Sequence, residues 1–593
     1  MKTSWNLSLL YTNHDDPRIE KDMRAGERAF SAFEKKYKGK TDYLKSEPKL
    51  LSALTDFEAM FKNLVFARPI MYFHYVTDLD SSDTVARSRS TQMSERYAKN
   101  DQRIAFFELS LGRIPAPLQE KFLASKRLAH FRYYLKTIFA KASHDLTEAE
   151  EKIMRLKGIT SYSQWVDGTE KLLGKATVEF RGKVMPVSEA GNRIGDLPTP
   201  ERRELHEALM KSLGALADVA ESELNAILTD KKINDELRGY KEPYDATILG
   251  YQNDRKSVLA LVSAVTDGFH ISHRFNALKA KLLGLDRLTY ADRNAGIESD
   301  VPEVSFDEAV SILRGVFGSL DSKYLTILDG YLERGQIDVY PKKGKTGGAY
   351  CSGSLNVPTF VLLNYTNTMD QVSTFAHEMG HAIHTELAKS QGPLYQDYSM
   401  STAEVASTLF ESFVFESLFE KMSDKEKISA LHNRINDDIS TIFRQVACFN
   451  FETEMHRVVR EKGGISADEI KTLLNTHMSA YLGPTFDLRP EDGNFFVTWS
   501  HLRRFFYVYS YAFGQLVSKA LYANYRKDKA YIKKIDAFMS AGGSDSPENI
   551  FKSVGIDVTK PAFWKAGLAS IEADLDRLEK LVALGAQGGV GGK

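Results

Sequence analysis

The chain has 593 residues, of which 43% are hydrophobic and 26% charged, and these proportions exclude a disordered or fibrous protein. Its formal net charge of -1 provides no overall field that would attract nucleic acid or an anionic membrane, so neither is expected as a partner. The two cysteines, Cys351 and Cys448, are fewer than a disulfide-stabilised secreted scaffold carries. No signal peptide or bilayer-length apolar run is apparent, so we expect a globular, cytoplasmic protein.

Helical periodicity dominates the first half of the chain. Apolar residues recur at spacings of three and four over residues 17–180, and turn-forming residues follow at 191–200. The helical pattern then resumes over residues 201–335. We therefore predict a mostly α-helical fold in two parts, with a boundary in the turn-rich segment.

Short extended segments interrupt the helical pattern over residues 336–365. The apolar run from Thr359 to Leu363 is typical of a strand, so a small β-sheet is predicted there. Helices are expected again from Thr368 onward, apart from a loop around residues 483–493 that contains two glycines and two prolines.

These patterns divide the chain into three regions. The first is an N-terminal helical region over residues 1–195, and the second covers residues 196–582 and contains the metal-binding motif described below. The last region, residues 583–593, is rich in glycine and lacks periodic apolar positions, so we expect a flexible tail.

A helix that carries two histidines is predicted directly after the extended segment. Thr368 as N-cap and Gln371 three positions later form a capping-box pattern, so the helix should begin at Met369. Its apolar residues share one stripe, and His377 and His381 fall roughly opposite that stripe. The helix would therefore bury one face and present both histidines on the other.

The sequence His377-Glu378-x-x-His381 has the spacing of a catalytic zinc site. Two imidazoles four residues apart on a helix stand one turn from each other and can converge on one tetrahedral Zn²⁺. Glu378 can reach a water on the same ion without being a ligand, and it is predicted to be the general base of peptide hydrolysis. His384 lies about 10 Å along the helix from His377, so a structural role is expected for it.

The third metal ligand should come from a second helix, because Glu386 lies too close on the first helix to turn back onto the ion. After the turn-rich segment 391–393, the run from Ser401 to Glu411 has a helical pattern in which Glu404 and Glu411 share one face. We predict Glu404 as the third ligand. Glu411 is either a partner that orients a ligating histidine or a surface carboxylate.

These motifs resemble the oligoendopeptidase F group of the thimet-oligopeptidase-like zinc metallopeptidases. That family is marked by His-Glu-x-Gly-His-x-x-His and a later glutamate on a separate helix, matched here by residues 377–384 and by Glu404. Further similarity lies in Trp5 to Tyr11, in Gly348 to Cys351 and in Phe506 to Tyr511. The resemblance covers nearly the whole chain.

The resemblance implies a fold and a substrate class. It implies a two-part helical body that encloses a deep substrate channel, with one Zn²⁺ at the floor of the channel and a small β-sheet beside the zinc-binding helix. Access would be limited to short, unstructured oligopeptides. The run from Thr359 to Leu363 would be the edge strand along which a peptide adds as a further strand, so specificity would be broad.

The resemblance also implies a late group of residues that contacts the substrate and the developing oxyanion. The matching residues are His501, Tyr507 and Tyr511, with both tyrosines expected on one helix face. This chain has Ala512-Phe513-Gly514 where the family usually has Ala-Thr-Gly. The alternative for the tyrosines is core packing, which is common for aromatic residues at helical spacing.

The sequence leaves other functions open. Arg503 and Arg504 could hold a substrate carboxylate and shift the activity toward carboxypeptidase-like trimming, whereas the alternative for both is a solvated surface position. The chain could instead bind peptides with little turnover, or hold zinc purely as a structural clamp. The ligand types would also accept Mn²⁺ or Co²⁺, and the sequence does not indicate an oligomeric state.

Overall fold

The computed structural model describes residues 1–297 and 303–588, most of which are helical. In chain order the α-helices are α1 (Pro17–Tyr37), α2 (Glu47–Lys62), α3 (Ala67–Leu79), α4 (Thr84–Gly112), α5 (Ala116–Ala124), α6 (Arg132–Ala142), α7 (Glu148–Gly158), α8 (Gln164–Leu173), α9 (Val187–Arg193), α10 (Thr199–Gly214), α11 (Ala217–Arg238), α12 (Asp245–Gly250), α13 (Arg255–Asp267), α14 (Phe269–Leu282), α15 (Phe306–Leu320), α16 (Ser322–Arg334), α17 (Met369–Ala388), α18 (Met400–Phe419), α19 (Asp424–Asp438), α20 (Arg444–Lys462), α21 (Ala467–Leu482), α22 (Tyr509–Lys527), α23 (Ile532–Ser540), α24 (Pro547–Ser553) and α25 (Pro561–Gly588).

The strands are few and short. They are β1 (Thr177–Phe180), β2 (Lys183–Pro186), β3 (Leu288–Thr289), β4 (Ile337–Asp338), β5 (Tyr350–Ser354), β6 (Val357–Leu362) and β7 (Phe486–Asp487). The predicted mostly α-helical class, with a small sheet directly before the histidine-bearing helix, is confirmed. None of the described helices has the length and apolarity needed to span a membrane.

The chain groups into two compact units, each assembled from three separate stretches. Unit 1 contains Met1–Ser143, Val301–Leu418 and Leu521–Ile556, and unit 2 contains His144–Asp300, Phe419–Ala520 and Asp557–Lys593. The predicted two-part organisation is confirmed, but the expected division after residue 195 falls inside unit 2. A linear division cannot describe units in which segments distant in sequence pack together.

The end of the chain also differs from expectation. Helix α25 continues to Gly588, so residues 583–588 of the expected flexible tail are helical. Residues 589–593, the rest of that expected tail, lie outside the described residues.

A three-stranded sheet in unit 1 has the order β4-β6-β5. Strand β4 is parallel to β6, and β5 is antiparallel to β6 with Tyr350 opposite Leu362. The prediction that the run from Thr359 to Leu363 is an edge strand is therefore wrong, because β6 is hydrogen-bonded on both sides. Its nearly continuous burial is that of a central strand, and the five-residue edge belongs to β5.

Trp5, near the start of the chain, packs between this sheet and the core of unit 1. The indole N–H of Trp5 donates to the carbonyl of Val361 at 2.8 Å. Its ring packs edge-on against Phe360 and Tyr75, with centroids 5.5 and 5.2 Å away. The first residues of the chain therefore pack against the sheet that precedes the histidine-bearing helix.

A hairpin in unit 2 was not expected from the sequence. Strands β1 and β2 pair in antiparallel register through the two-residue turn Arg181-Gly182, whose φ angles are +50° and +76°. Two positive φ angles are the mark of a tight hairpin turn. Four-residue strands are too short for alternation to stand out within a helical background.

Candidate metal centre

Helix α17 presents the two motif histidines. It begins at Met369 as predicted, with Thr368 at the N-cap, but the Thr368 side chain makes no capping hydrogen bond, so the predicted capping box does not form. Most of the predicted apolar stripe is buried, namely Val372, Phe375, Ala376, Met379 and Ile383. His377 and His381 are half-buried, with side-chain exposures of 26% and 18%.

Three side chains converge at the exposed edge of this helix. His377 Nε2 lies 3.2 Å from His381 Nε2, and Glu404 Oε2 lies 3.4 Å from the first nitrogen and 3.6 Å from the second. Ligand atoms 2.0–2.1 Å from one tetrahedral Zn²⁺ lie about 3.3 to 3.4 Å apart, so these spacings fit one ion. Within residues 1–297 and 303–588, no other cluster of His, Cys, Asp and Glu has such spacing.

Gly380 permits the close approach of the two helices that carry these candidate ligands. A Cβ at position 380 would lie 2.7 Å from the Cα of Ser407 and 2.9 Å from the carbonyl oxygen of Ala406. The backbones of α17 and α18 are therefore in direct contact one turn after Glu404. This contact places a carboxylate from α18 beside two imidazoles from α17.

Gly380→Ala is therefore expected to weaken the metal site by separating the helices. Overpacking of this kind lowers the free energy of unfolding by about 1–3 kcal/mol. The displacement of Glu404 from the two histidines should also lower the affinity for zinc. The measurements are the free energy of unfolding in denaturant and the zinc dissociation constant by chelator competition.

The matched control is Gly315→Ala in α15 of the same unit, where an added Cβ would meet no atom within 4 Å. That change should leave zinc affinity unaltered and stabilise the helix by up to about 1 kcal/mol. Equal zinc affinities for Gly380→Ala and the parent would show that helix contact does not set the ligand geometry.

Glu411 orients His377. Its Oε1 accepts a hydrogen bond from Nδ1 of His377, which leaves Nε2 directed toward His381 and Glu404. Of the two interpretations offered for Glu411, the structure favours the partner of a histidine over the surface carboxylate. A carboxylate on the remote nitrogen fixes the tautomer and makes the near nitrogen a better ligand.

The site has an electrostatic preference for a cation. Burial disfavours the charged imidazole of His377, but the hydrogen bonds with Glu404 and Glu411 outweigh burial and raise its pKa to about 10. Burial also disfavours the carboxylate of Glu404, yet its hydrogen bonds with His377 and His381 hold its pKa far below the ordinary value. Carboxylates that stabilise a proton on a buried histidine also stabilise a metal ion that replaces that proton.

Glu378 lies beside the candidate ligands, and one of its oxygens makes no hydrogen bond with a described residue. The residue is 6% exposed, and its Oε2 has no hydrogen-bond partner among the described residues. Burial raises the pKa of the Glu378 carboxyl above its ordinary value. The nearby His381 and His377 lower this pKa, and the negative charges of Glu404 and Glu411 raise it. A carboxylate with a raised pKa is suited to accepting and returning a proton near neutral pH.

His384 and Glu386 lie on α17 but do not join the cluster. His384 stacks on Tyr398 with ring centroids 3.7 Å apart, and burial lowers its pKa to about 3, so the ring is neutral. Glu386 accepts hydrogen bonds from Tyr331 at 2.8 Å and from Thr359 at 2.7 Å. Both residues contact neighbouring side chains and so help to hold α17 in place, which is the structural role expected for His384.

The three residues predicted to assist the oxyanion lie together in unit 2. His501 accepts a hydrogen bond at Nδ1 from the indole of Trp499, so Nε2 carries the proton and donates to Tyr511 Oη at 3.1 Å. The ring of Tyr507 lies 5.7 Å from that of His501 and 5.2 Å from that of Tyr511. Nothing in the sequence marked Trp499, because its contact with His501 depends on the conformation of residues 500–503.

The prediction that Tyr507 and Tyr511 share a helix face is wrong. Helix α22 begins at Tyr509, and the preceding Phe505 and Phe506 have φ angles of +34° and +58°. This left-handed turn is held by Glu452, which accepts from the Phe506 N–H at 2.7 Å. Tyr507 thus reaches the cluster from a turn instead of a helix.

Arg503 is buried instead of being solvated as the sequence suggested. Its guanidinium donates to both carboxylate oxygens of Glu223, at 2.8 and 2.6 Å. Arg504 is exposed, as expected. The expectation of a surface position is therefore wrong for Arg503, because Glu223, distant in sequence, supplies its counter-charge. Arg503 is also committed to that carboxylate and is a poor candidate for holding a substrate carboxylate.

Comparison with known proteins identifies the family of the chain. A model of peptidase family M3 matches residues 298–570, and a model of oligopeptidase F matches residues 111–174, so that together they span more than half of the chain. The chain belongs to peptidase family M3. It is therefore a metallopeptidase, and the resemblance to oligoendopeptidase F is confirmed.

Curated relatives of this M3 peptidase match over most of their length. It is 26% identical to oligopeptidase PepF of Bacillus subtilis, covering 98% of this chain and 87% of that protein. It is 27% identical to group B oligopeptidase PepB of Streptococcus agalactiae, covering 85% of this chain and 86% of that protein.

Solved structures share the fold of this M3 peptidase. A putative peptidase from Chlamydophila abortus superposes with a TM-score of 0.83 at 22% identity, covering 98% of both chains. Oligoendopeptidase F from Enterococcus faecium superposes with a TM-score of 0.69 at 18% identity, covering 95% of this chain and 98% of the other.

Proposed function

We propose that the chain is a zinc-dependent endopeptidase that hydrolyses short, unstructured oligopeptides in the cytoplasm. The observation that carries this proposal is the convergence of His377, His381 and Glu404 at the spacing of tetrahedral ligands, beside the buried carboxylate of Glu378. Membership of family M3 supplies the peptidase class. The relatives named oligopeptidases support short peptides as substrates, and both cysteines are free, as in a reducing compartment.

In this proposal His377 and His381 bind one Zn²⁺ through Nε2, and Glu404 binds it through Oε2. Two imidazoles and a carboxylate form a donor set that zinc readily accepts and that leaves a position for a reactant. When bound, the ion supplies Lewis acidity that polarises a peptide carbonyl and makes water more acidic. Mn²⁺ and Co²⁺ suit the same donors, so the native metal is part of the proposal.

Glu378 is proposed to move the proton. Its uncommitted Oε2 accepts a proton from the attacking water, and the protonated carboxyl then donates it to the leaving amine. The raised pKa of Glu378 makes both transfers accessible near neutral pH. The buried position excludes bulk water that would otherwise compete for the proton.

His501, Tyr507 and Tyr511 are proposed to stabilise the oxyanion and position the substrate. His501 orients the Tyr511 phenol through its Nε2, and Trp499 holds the tautomer of His501. A phenol O–H fixed in this way is an effective donor to an oxygen that gains negative charge during the reaction.

The peptide substrate is proposed to add at β5, the edge of the sheet in unit 1. Its backbone from Tyr350 to Ser354 pairs with β6 on one side only. Main-chain hydrogen bonds to an edge strand hold a peptide with little regard to its side chains, so broad specificity follows. This assignment replaces β6, which lies between β4 and β5.

The proposal is tested by metal content and by the products of cleavage. Purified protein should contain about one zinc per chain and should cut internally quenched peptides of about ten residues at internal bonds, while a folded protein with the same sequences stays intact. Products are identified by mass spectrometry. Peptide binding without products would favour a peptide-binding protein, and release of single C-terminal residues would favour carboxypeptidase-like trimming.

A further inference from the structure

A cluster of arginine and tyrosine side chains in unit 2 contains buried hydrogen-bond donors that no protein group satisfies. They are Nη1 of Arg293, Nε and Nη2 of Arg444, and the hydroxyls of Tyr290 and Tyr481. None of these forms a hydrogen bond of good geometry in the described part of the chain, although Arg444 and Tyr290 lie close enough to interact with each other. Tyr290 and Tyr481 are 5% and 0% exposed. We call these four residues the arginine–tyrosine cluster.

Both guanidinium groups pack around one aromatic ring. The Cζ atom of Arg293 lies 5.8 Å from the centre of the Phe495 ring, and that of Arg444 lies 5.2 Å from it. Arg293 also lies 4.6 Å from the Tyr290 ring, and Arg444 lies 4.6 Å from the Trp499 ring. Aromatic rings thus surround both guanidinium groups, and the two positive charges share one apolar environment.

A small cleft reaches Tyr290 and Arg293 of the arginine–tyrosine cluster. It has a volume of about 70 Å³, and its lining includes Tyr290, Arg293, Asn294, His206 and Phe495. The Nε of Arg293 donates to the side-chain oxygen of Asn294 at 3.2 Å, which fixes one edge of the guanidinium and leaves Nη1 without an acceptor. The volume is that of a few water molecules, so the site suits a small ligand.

No carboxylate balances the two arginines. Neither Arg293 nor Arg444 forms an ion pair with a described residue. The nearby carboxylate of Asp292 is held by Arg202 at 2.9 Å and by Arg203 at 2.8 Å. Burial raises the pKa of the Tyr481 hydroxyl, and the positive charges of Arg293 and Arg444 act in the opposite direction and lower it. Two half-buried like charges in an apolar surrounding without a counter-charge are unfavourable, and a bound anion would offset that cost.

We propose that the arginine–tyrosine cluster is a binding site for a small monovalent inorganic anion such as chloride. The guanidinium N–H groups supply charge-assisted hydrogen bonds, and the two phenols supply neutral O–H donors. Water could accept the same hydrogen bonds but would leave the charge of both arginines unbalanced. The cluster lies in unit 2 and shares no residue with the candidate metal ligands, and it does not rest on the proposed peptidase function.

The site is tested by thermal unfolding of the full-length, metal-loaded protein at constant ionic strength. Replacing sodium gluconate with sodium chloride, from about 5 to 200 mM, should raise Tm by about 1–3 °C and then saturate, since a ligand that binds the folded state stabilises it. Sodium bromide should act similarly. Crystals grown in bromide should show an anomalous peak beside Arg293 and Arg444.

Variants separate this site from a general salt effect. Arg444→Gln should abolish the chloride-dependent part of the Tm rise, whereas Arg434→Gln should keep it, because Arg434 pairs with Asp574 at 3.5 Å. If Arg444→Gln does not fold, Tyr290→Phe and Tyr481→Phe carry the test, because each removes one hydroxyl and should raise the half-saturating chloride concentration.

Three results would overturn the proposal. The first is an equal Tm in chloride and gluconate with no bromide peak at the cluster. The second is an unchanged chloride response in Arg444→Gln or in both phenylalanine variants. The third is a response to acetate without one to halides, which would assign the cluster to carboxylates such as a peptide C-terminus.

Discussion

Glu378→Gln is expected to lower kcat for an internally quenched peptide by about 10²–10⁴-fold while leaving the zinc content unchanged. The carboxylate has an uncommitted buried oxygen next to the three ligands, and an amide of the same shape cannot accept the proton of the attacking water. Glu378 is not one of the three ligands, so affinity for the metal should be retained. The measurements are kcat, KM and metal content of the two proteins.

The matched control is Asp370→Asn, which makes the same chemical change on the exposed first turn of α17. It should keep the parent kcat and zinc content. Cleavage by Glu378→Gln at the parent rate would rule out Glu378 as the general base. Loss of zinc together with activity would instead mean that the carboxylate helps to hold the metal.

Metal removal is expected to abolish cleavage completely and reversibly. A chelator should remove the ion from the parent protein, and added Zn²⁺ should restore the rate. Glu404→Ala should lose zinc at concentrations that saturate the parent, with an affinity lower by at least about 100-fold, because two imidazoles alone leave the ion half-coordinated. Zinc content and peptide cleavage are measured across a series of buffered free zinc concentrations.

Glu416→Ala is the control on the same helix, because it removes a carboxylate that is not in the ligand cluster. The circular dichroism of the chelated protein separates a catalytic metal from a structural one. We expect the helical signal to persist, because α17 is anchored by its buried apolar stripe independently of the ligands. Unfolding on chelation would support the structural-clamp hypothesis, and cleavage that survives chelation would refute a metal-dependent reaction.

The features that the sequence revealed are mainly local. The four-residue spacing of His377 and His381 places both side chains one turn apart on any helix, and the surrounding apolar stripe shows which face is buried. The start of α17 at Met369 was likewise evident from the residues around it. The expectation of a ligand on a second helix followed from the length of a glutamate side chain, and Glu404, which stays a proposed ligand, was chosen from its position on such a helix.

Features that depend on long-range packing were the ones the sequence misjudged. The run from Thr359 to Leu363 is apolar enough for a strand, but whether a strand is central or at an edge depends on which neighbours pair with it. Arginine is usually a surface residue, and nothing near Arg503 in the sequence shows that it is buried. Its counter-charge comes from Glu223, which lies 280 positions away. Tyr507 and Tyr511 are four residues apart, yet Tyr507 follows a left-handed turn at Phe505 and Phe506 and the helix begins only at Tyr509.

The sequence by itself therefore determined the helical class, the motif helix and the family resemblance, because periodicity and motif spacing are visible along the chain without knowledge of which elements pack together. Tertiary structure alone decided that each compact unit is assembled from three stretches of chain, that Gly380 is the contact between α17 and α18, and that Glu411 orients His377. It also decided that Arg293 and Arg444 meet around Phe495 without a carboxylate. The physical reason is that side chains far apart in sequence meet only when whole elements pack, and such packing leaves no periodic signal in the sequence.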